Sequence, residues 1–378
     1  MFNLQTTQAA NTPDDVINFG IGQPALRLLP LKLMREAAAD RLGQTDPSLL
    51  AYGAEQGDGY FRLALAQFLS EGYDEMVDLA RLFITNGASQ GLDLICTLFA
   101  RPGDTVFVEE PSYFLALSIF ADHHLNVVSL PMDEDGLIIE ALEEKLKTEK
   151  PAFLYTIPTF HNPTGVTLST ARRAQLARLS EAYDFLIVAD EVYQLLGYSV
   201  APPPPLPYYD ERGTVLSIGS FSKILAPGVR LGWIQAKPRL IKGFVSSGLL
   251  DSGGGLNPFT SSLVRSALEL GLLQEHLLFL KAAYHAGLTA LSETLREVVP
   301  AFSFSQPEGG FFIWGHWPEG VDAETLLSKA KQHKVGFQPG IKFSSQQGLR
   351  NYMRLSFAYY EEAALREGAK RLAKVITA

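Results

Sequence analysis

Over residues 56–240, short apolar runs alternate with stretches of helical periodicity. The runs at 82–85, 105–108, 152–157, 185–189 and 214–218 are almost continuously apolar and stop abruptly at polar residues or glycine. Residues 229–236 make a further candidate strand, while 62–69, 92–100 and 171–183 carry apolar residues at helical spacing. Strands apolar on both faces and alternating with helices predict an α/β sheet, mostly parallel and covered on both sides. After residue 260 the pattern changes. A long helical stretch over 261–299 precedes candidate strands at 310–314 and 352–357 and an amphipathic helix over 361–376, which together predict a smaller α+β domain. The expected division is an N-terminal segment, 1–42, packed with the small domain, a large domain over 43–265 and the small domain over 266–378. Four consecutive prolines, 202–205, read as a surface loop, because proline neither donates to a sheet ladder nor continues a helix.

Composition narrows the class. The chain has 378 residues, 47% hydrophobic and 19% charged, ordinary for a globular protein with more than one core. A net charge of -9 without any Lys/Arg run argues against a nucleic-acid or anionic-membrane surface. One cysteine, Cys96, excludes an intramolecular disulfide and lies in an apolar run, so it is expected to be a buried thiol. No apolar stretch approaches the ~20 residues that span a bilayer. The polar start, 1–11, lacks the basic and apolar regions of a signal peptide. A cytoplasmic protein is the expectation. His123 and His124 are adjacent and diverge, which gives no metal site.

In an open α/β sheet, ligands bind beyond the carboxyl ends of the strands, so the residues after each apolar run are the candidates for chemistry. After the first run, Asn86-Gly87-Ala88-Ser89-Gln90-Gly91 opens a helix, and small residues with free N–H groups there suit a phosphate or a plain turn. The second run delivers Tyr113 and the third a tight turn, His161-Asn162-Pro163-Thr164-Gly165. The fourth ends in Asp190-Glu191-Val192-Tyr193, placing a carboxylate where it needs a partner or a cationic ligand. The fifth ends Ser220-Phe221-Ser222-Lys223, followed by Arg230. Small, hydroxylic and apolar neighbours desolvate the lysine, and an amine that is partly neutral can attack a carbonyl. A phosphate site, an aromatic ring, a buried anion, a nucleophilic amine and an arginine are together what pyridoxal 5'-phosphate (PLP) demands.

With these motifs the chain resembles the fold-type-I PLP enzymes, specifically the class I/II aminotransferases, from residue 17 to Arg354. In style it is similar to the 2-aminoadipate/kynurenine and aromatic members. The resemblance implies an aspartate aminotransferase-like fold with a mostly parallel, seven-stranded central sheet. It also implies a homodimer with shared active sites and a role in amino-acid metabolism. Lys223 would hold PLP as a Schiff base and then serve as acid and base in a ping-pong transfer from an L-amino acid to a 2-oxo acid, 2-oxoglutarate being expected. Asp190 would face the pyridine nitrogen, Tyr193 and Asn162 the phenolic oxygen, and Tyr113 the ring face. Ala88, Ser89, Ser220, Ser222 and Arg230 would hold the phosphate, as would Tyr52 of the neighbouring subunit. Ala88 departs from the hydroxyl residue frequent at its position, so that contact rests on backbone. Arg354 would grip the substrate carboxylate, with Asn162, Tyr52, Gly20 and Gly22 lining the substrate site.

Two other readings use the same residues. A C–S lyase, decarboxylase or racemase differs only in which Cα bond stands perpendicular to the cofactor. A PLP-sensing half of a transcription regulator would need a basic DNA-binding module before residue 17. Arg27 is either a surface residue or an anchor for a distal substrate carboxylate.

Overall fold

The computed structural model describes Pro13 and residues 15–377; the polar start at 1–11 lies outside the described residues. Strand β1 (Ile17–Asn18) belongs to the N-terminal segment. Strands β2 (Leu82–Thr85), β3 (Thr105–Glu110), β4 (Asn126–Asp133), β5 (Gly136–Leu137), β6 (Phe153–Thr156), β7 (Leu186–Asp190), β8 (Val215–Ser220) and β9 (Gly232–Ala236) form one sheet. Their order is β2-β9-β8-β7-β6-β3-β4-β5. The β4–β3–β6–β7–β8 run is parallel, whereas β9 is antiparallel to both neighbours and β5 folds back on β4. Seven strands make the expected central sheet, and β5 adds two residues at its edge.

Alternation along each central strand sorts side chains to two cores. Val106, Val108, Phe153, Tyr155, Val188, Leu216 and Ile218 face one core, together with Leu92 and Ile95 of the helix Ala88–Phe99. Phe107, Leu154, Ile187, Ala189 and Val215 face the other, with Leu142 and Leu176 from helices Ile139–Leu146 and Thr170–Tyr183. Both faces are thus covered, which is why these strands read as unbroken apolar runs. Strand β4 escaped the sequence pattern because it lies near the sheet edge, half-exposed, with Ser129 and Pro131 interrupting it.

The later strands are β10 (Ser303–Phe304), β11 (Phe312–His316), β12 (Val335–Gly336), β13 (Gln338–Pro339) and β14 (Tyr352–Ser356). Four of them make an antiparallel sheet, β10-β11-β14-β13, while β12 pairs in parallel with β1. That pairing brings the chain after Asn18 against the second sheet, and Phe19 O accepts from Ser356 N at 2.8 Å.

Two expected elements are corrected. The single helix over 261–299 is two, Pro258–Glu269 and Leu272–Val298, because Gly271 takes φ +71° between them and a left-handed residue ends a helix. The strand expected from 229 starts only at Gly232, since Pro227–Val229 wind a 3-10 turn and Arg230 follows at φ 46°. Prolines 202–205 form a loop, but not one lying free on the surface. Arg173 and Gln194 tie down the carbonyls of Pro204 and Pro203.

Candidate functional site

Strands β2, β6, β7 and β8 all end at one edge of the central sheet, and the residues after them converge there. Beyond β2, Gly87 takes φ +90° as the cap of the helix that Ala88 and Ser89 begin. A Cβ at Gly87 would stand 2.9 Å from Nη2 of Arg230, so the missing side chain is what admits the guanidinium. Arg230 donates to the carbonyls of Asn86 (3.1 Å) and Pro227 (3.3 Å). Gly232, paired with both Thr85 and Ser220, brings the end of β8 beside this helix start. There Ser220 Oγ accepts from Ser222 N at 3.1 Å and donates to Ser222 Oγ at 3.0 Å. Hydroxyls, a guanidinium and the N–H groups of a helix start thus gather where a phosphate would sit.

Lys223 follows in the turn after β8. Its ammonium donates to Gly22 O at 2.8 Å and lies 5.4 Å from the Phe311 ring centroid. Burial, and then the positive charge of Arg354, lowers its pKa from 10.5 to about 8, against the opposing pull of Asp190. Asp190, at the end of β7, is buried. Its Oδ2 accepts from Tyr155 Oη at 2.8 Å, while Oδ1 is buried and has no hydrogen-bond partner among the described residues. Burial raises its pKa, and the Tyr155 hydrogen bond opposes that rise.

The neighbouring carboxylate has a different task. Glu191 turns the other way, accepts from Leu206 N (2.8 Å) and Ser217 Oγ, and stands 3.7 Å from the fully buried Arg173. One of the paired acids is therefore spent on structure and the other keeps an unmet oxygen.

Arg354 enters from β14. Nη1 donates to Asn162 Oδ1 at 2.8 Å and Nη2 to Gly20 O at 3.1 Å, and Nε is buried without a partner among the described residues. Its guanidinium carbon lies 3.9 Å from the Phe312 ring centroid and 5.0 Å from that of Phe343. Burial lowers its pKa to about 10, still charged at neutral pH. Tyr193 packs its ring 5.5 Å from Phe311, and burial holds its phenol well above the usual value. Tyr113 starts the helix Phe114–Asp122, and burial followed by the charge of Asp190 pushes its phenol to about 12.

Lys223, Asp190, Tyr193, Asn162, Tyr113, Arg354 and Gly22 therefore come together at one place, with Ala88, Ser89, Ser220, Ser222 and Arg230 in the adjoining cradle. Tyr52 does not join them within the chain. It is 88% exposed and lines another cavity with Arg41, Tyr60 and Arg265. Arg27 is engaged elsewhere, 3.2 Å from Glu361 and donating to Tyr359 O at 2.9 Å. Cys96 is buried, and burial pushes its thiol up to about 12. Among the described residues no group of acidic, His or Cys side chains could hold a metal ion, and no helix is long and apolar enough to cross a membrane.

Sequence reasoning missed several residues here. Tyr155 sits inside an apolar strand and reads as core. His161 reads as part of a turn, yet its ring is fully buried with Nε2 3.1 Å from Glu109, whose own hydrogen bonds come from Thr156 Oγ1 and Ile157 N. The aromatic wall of Phe312 and Phe343 comes from segments more than 80 residues beyond Lys223, and only the fold brings them near.

The unmet Oδ1 of Asp190, the cradle that Gly87 opens beside Arg230 and the depressed lysine fit the pyridine nitrogen, the phosphate and the aldehyde of PLP. Comparison with known proteins agrees. A family model described as aminotransferase class I and II matches residues 14–372. Aromatic-amino-acid aminotransferase 1 of Thermococcus litoralis is 38% identical over 369 residues, 96% of this chain and 88% of that one. The solved Pyrococcus horikoshii kynurenine aminotransferase, in complex with PMP, is 33% identical, with a TM-score of 0.91 over 99% of this chain and 95% of that one. LysN, the α-aminoadipate aminotransferase of Thermus thermophilus, solved with N-(5'-phosphopyridoxyl)-L-leucine, is 30% identical, with a TM-score of 0.87 over 99% and 95%.

Proposed function

The chain belongs to the aminotransferase class I and II family, and on that premise we propose how its own residues carry out PLP-dependent transamination. PLP, when bound, supplies an electron sink and carries the amino group between substrates. Lys223 Nζ would hold the cofactor and, when free, would move the proton at the substrate Cα. An amine with a pKa of about 8 can both hold and release that proton near neutral pH. Asp190 Oδ1 would accept from the pyridine nitrogen and keep it protonated. Tyr193 and Asn162 would serve the phenolic oxygen, and Tyr113 the ring face. The start of helix Ala88–Phe99, Ser220, Ser222 and Arg230 would hold the phosphate. Arg354 takes the substrate carboxylate on Nε and Nη2, a bidentate pair whose Nε donor now lacks a partner.

The single observation that carries this assignment is the convergence of Lys223, Asp190 and Arg354 from two different sheets. The aromatic rings of Phe312 and Phe343 beside Arg354 favour aromatic or large apolar amino acids as donors. The name of the Thermococcus litoralis relative points the same way. Arg27 pairs with the exposed Glu361 in this structure, which supports reading it as a surface residue. We further propose 2-oxoglutarate as acceptor, a ping-pong order, and a division into large (43–265) and small (266–378) domains with the 1–42 segment on the latter. The active unit is a homodimer in which Tyr52, exposed and lining a cavity with Tyr60, reaches the partner's phosphate site.

Steady-state rates with a panel of L-amino acids against 2-oxoglutarate test this reading. Parallel double-reciprocal lines, with kcat/KM highest for aromatic donors, are expected. Intersecting lines would remove the ping-pong order, and a preference for small donors would remove the aromatic assignment.

A further inference from the structure

Tyr155 lies in the middle of β6, where the neighbouring positions alternate between the two cores. Its ring is fully buried, packed edge-on against Phe120 at 5.5 Å, so for packing alone a phenylalanine would serve. What distinguishes tyrosine is the hydroxyl, and it donates to Oδ2 of Asp190 at 2.8 Å. The two residues sit on adjacent parallel strands, Tyr155 opposite Val188, two positions before the carboxylate. That placement lets the phenol reach forward to the strand end while its ring stays in the core. Asp190 then has one oxygen fixed and one, Oδ1, buried and unmet.

We propose that Tyr155 is a positioning residue, whose hydroxyl fixes the Asp190 carboxylate so that Oδ1 is aimed at the pyridine nitrogen of the cofactor. The inference rests on the assignment of Asp190 to that nitrogen. Its physical content is twofold. A carboxylate anchored by a charge-assisted hydrogen bond loses its freedom to rotate or to turn its second oxygen away. The same bond stabilises the ionised form against burial, so the proton of the pair stays on the ring nitrogen instead of passing to the acid. The phenol itself remains neutral, since burial and the nearby Asp190 hold it well above its usual value, and it can only donate. A purely structural hydroxyl would satisfy its own burial and leave the electronics of the cofactor untouched.

The test uses the purified holoenzyme and its variants Tyr155→Phe and Asp190→Asn, following the visible absorption of the lysine-bound cofactor through a pH titration. Without the Tyr155 hydrogen bond Asp190 becomes more basic and draws the proton from the ring. The ring then withdraws fewer electrons, and the cofactor-linked Nζ of Lys223 becomes more basic. Tyr155→Phe should therefore move the spectral midpoint to higher pH, in the same direction as Asp190→Asn and by less. It should also weaken PLP binding about 10-fold, the loss expected for one hydrogen bond to a charged group, and lower kcat with little change in KM. If Asp190→Asn moves the midpoint and Tyr155→Phe leaves both midpoint and PLP affinity unchanged, the proposal is overturned and the Asp190 assignment stands. If neither variant moves it, the Asp190 assignment fails as well. Should the phenylalanine variant not fold, 3-fluorotyrosine introduced at position 155 alone keeps the shape and strengthens the donor. The midpoint should then fall, and an unmoved midpoint overturns the proposal.

Discussion

At the scale of single residues, the site depends on groups held away from their ordinary ionisation. Lys223 is the clearest case. Its pKa in the folded apoprotein is about 8, against an ordinary 10.5, because burial and Arg354 disfavour the charge. Between those values the unfolded chain binds the extra proton, so this lysine's destabilising contribution fades as pH rises from about 8 to 10.5. Reductive methylation of the apoprotein, read by mass spectrometry across pH, should give Lys223 a midpoint near 8; a midpoint near 10.5 contradicts the desolvated amine. Lys223 and Asp190 were legible in the sequence because each comes at the end of an apolar run, where ligands bind, and Arg230 because it follows Lys223 closely. Arg354 was legible only through family resemblance. Tyr155 was not, since nothing local separates a tyrosine that donates to a distant carboxylate from one that merely packs. The pairing of Arg27 with Glu361, 334 residues away, was invisible without the fold.

At the scale of elements, the ends of strands are held by buried polar ties. Arg173, on the helix Thr170–Tyr183, donates to the carbonyls of Leu168 (2.9 Å), Pro158 (2.6 Å) and Pro204 (3.1 Å) and faces Glu191. It therefore links that helix, the loop after β6, the proline loop and the end of β7. Arg173→Met leaves Glu191 buried without its cation and should cost about 3–5 kcal/mol, read as a lowered urea midpoint. A midpoint unchanged within error would mean the tie is dispensable. The strands of the central sheet could be read because burial on both faces leaves them uninterrupted apolar runs. β4 could not, as an edge position tolerates Ser129 and Pro131. The break at Gly271 was also hidden, because apolar periodicity continues across it while the backbone does not.

At the scale of the whole molecule, the site is assembled from the large central sheet, the second sheet that carries Arg354, and the N-terminal chain that offers Gly20 and Gly22. The proposed dimer adds Tyr52. Mixing Lys223→Ala chains with Tyr52→Ala chains should restore activity that neither variant shows alone, up to about a quarter of wild type for random pairing in a two-fold dimer. No recovery after confirmed exchange would place Tyr52 outside the partner's site. The α/β class and the second, smaller layer were visible in the hydrophobic pattern, whereas the side-by-side placement of Arg354 and Asn162 needed the fold. The most direct measurement of the central claim is a single half-reaction. The PLP-loaded protein is given an aromatic L-amino acid with no oxo acid, and its visible absorption is followed before and after adding 2-oxoglutarate. Loss of the band to the pyridoxamine form, its return with the oxo acid, and the failure of Lys223→Ala to complete the cycle are the result expected of transamination through Lys223. A band that persists while ammonia or carbon dioxide is released, or a Lys223→Ala protein that cycles like wild type, would contradict it.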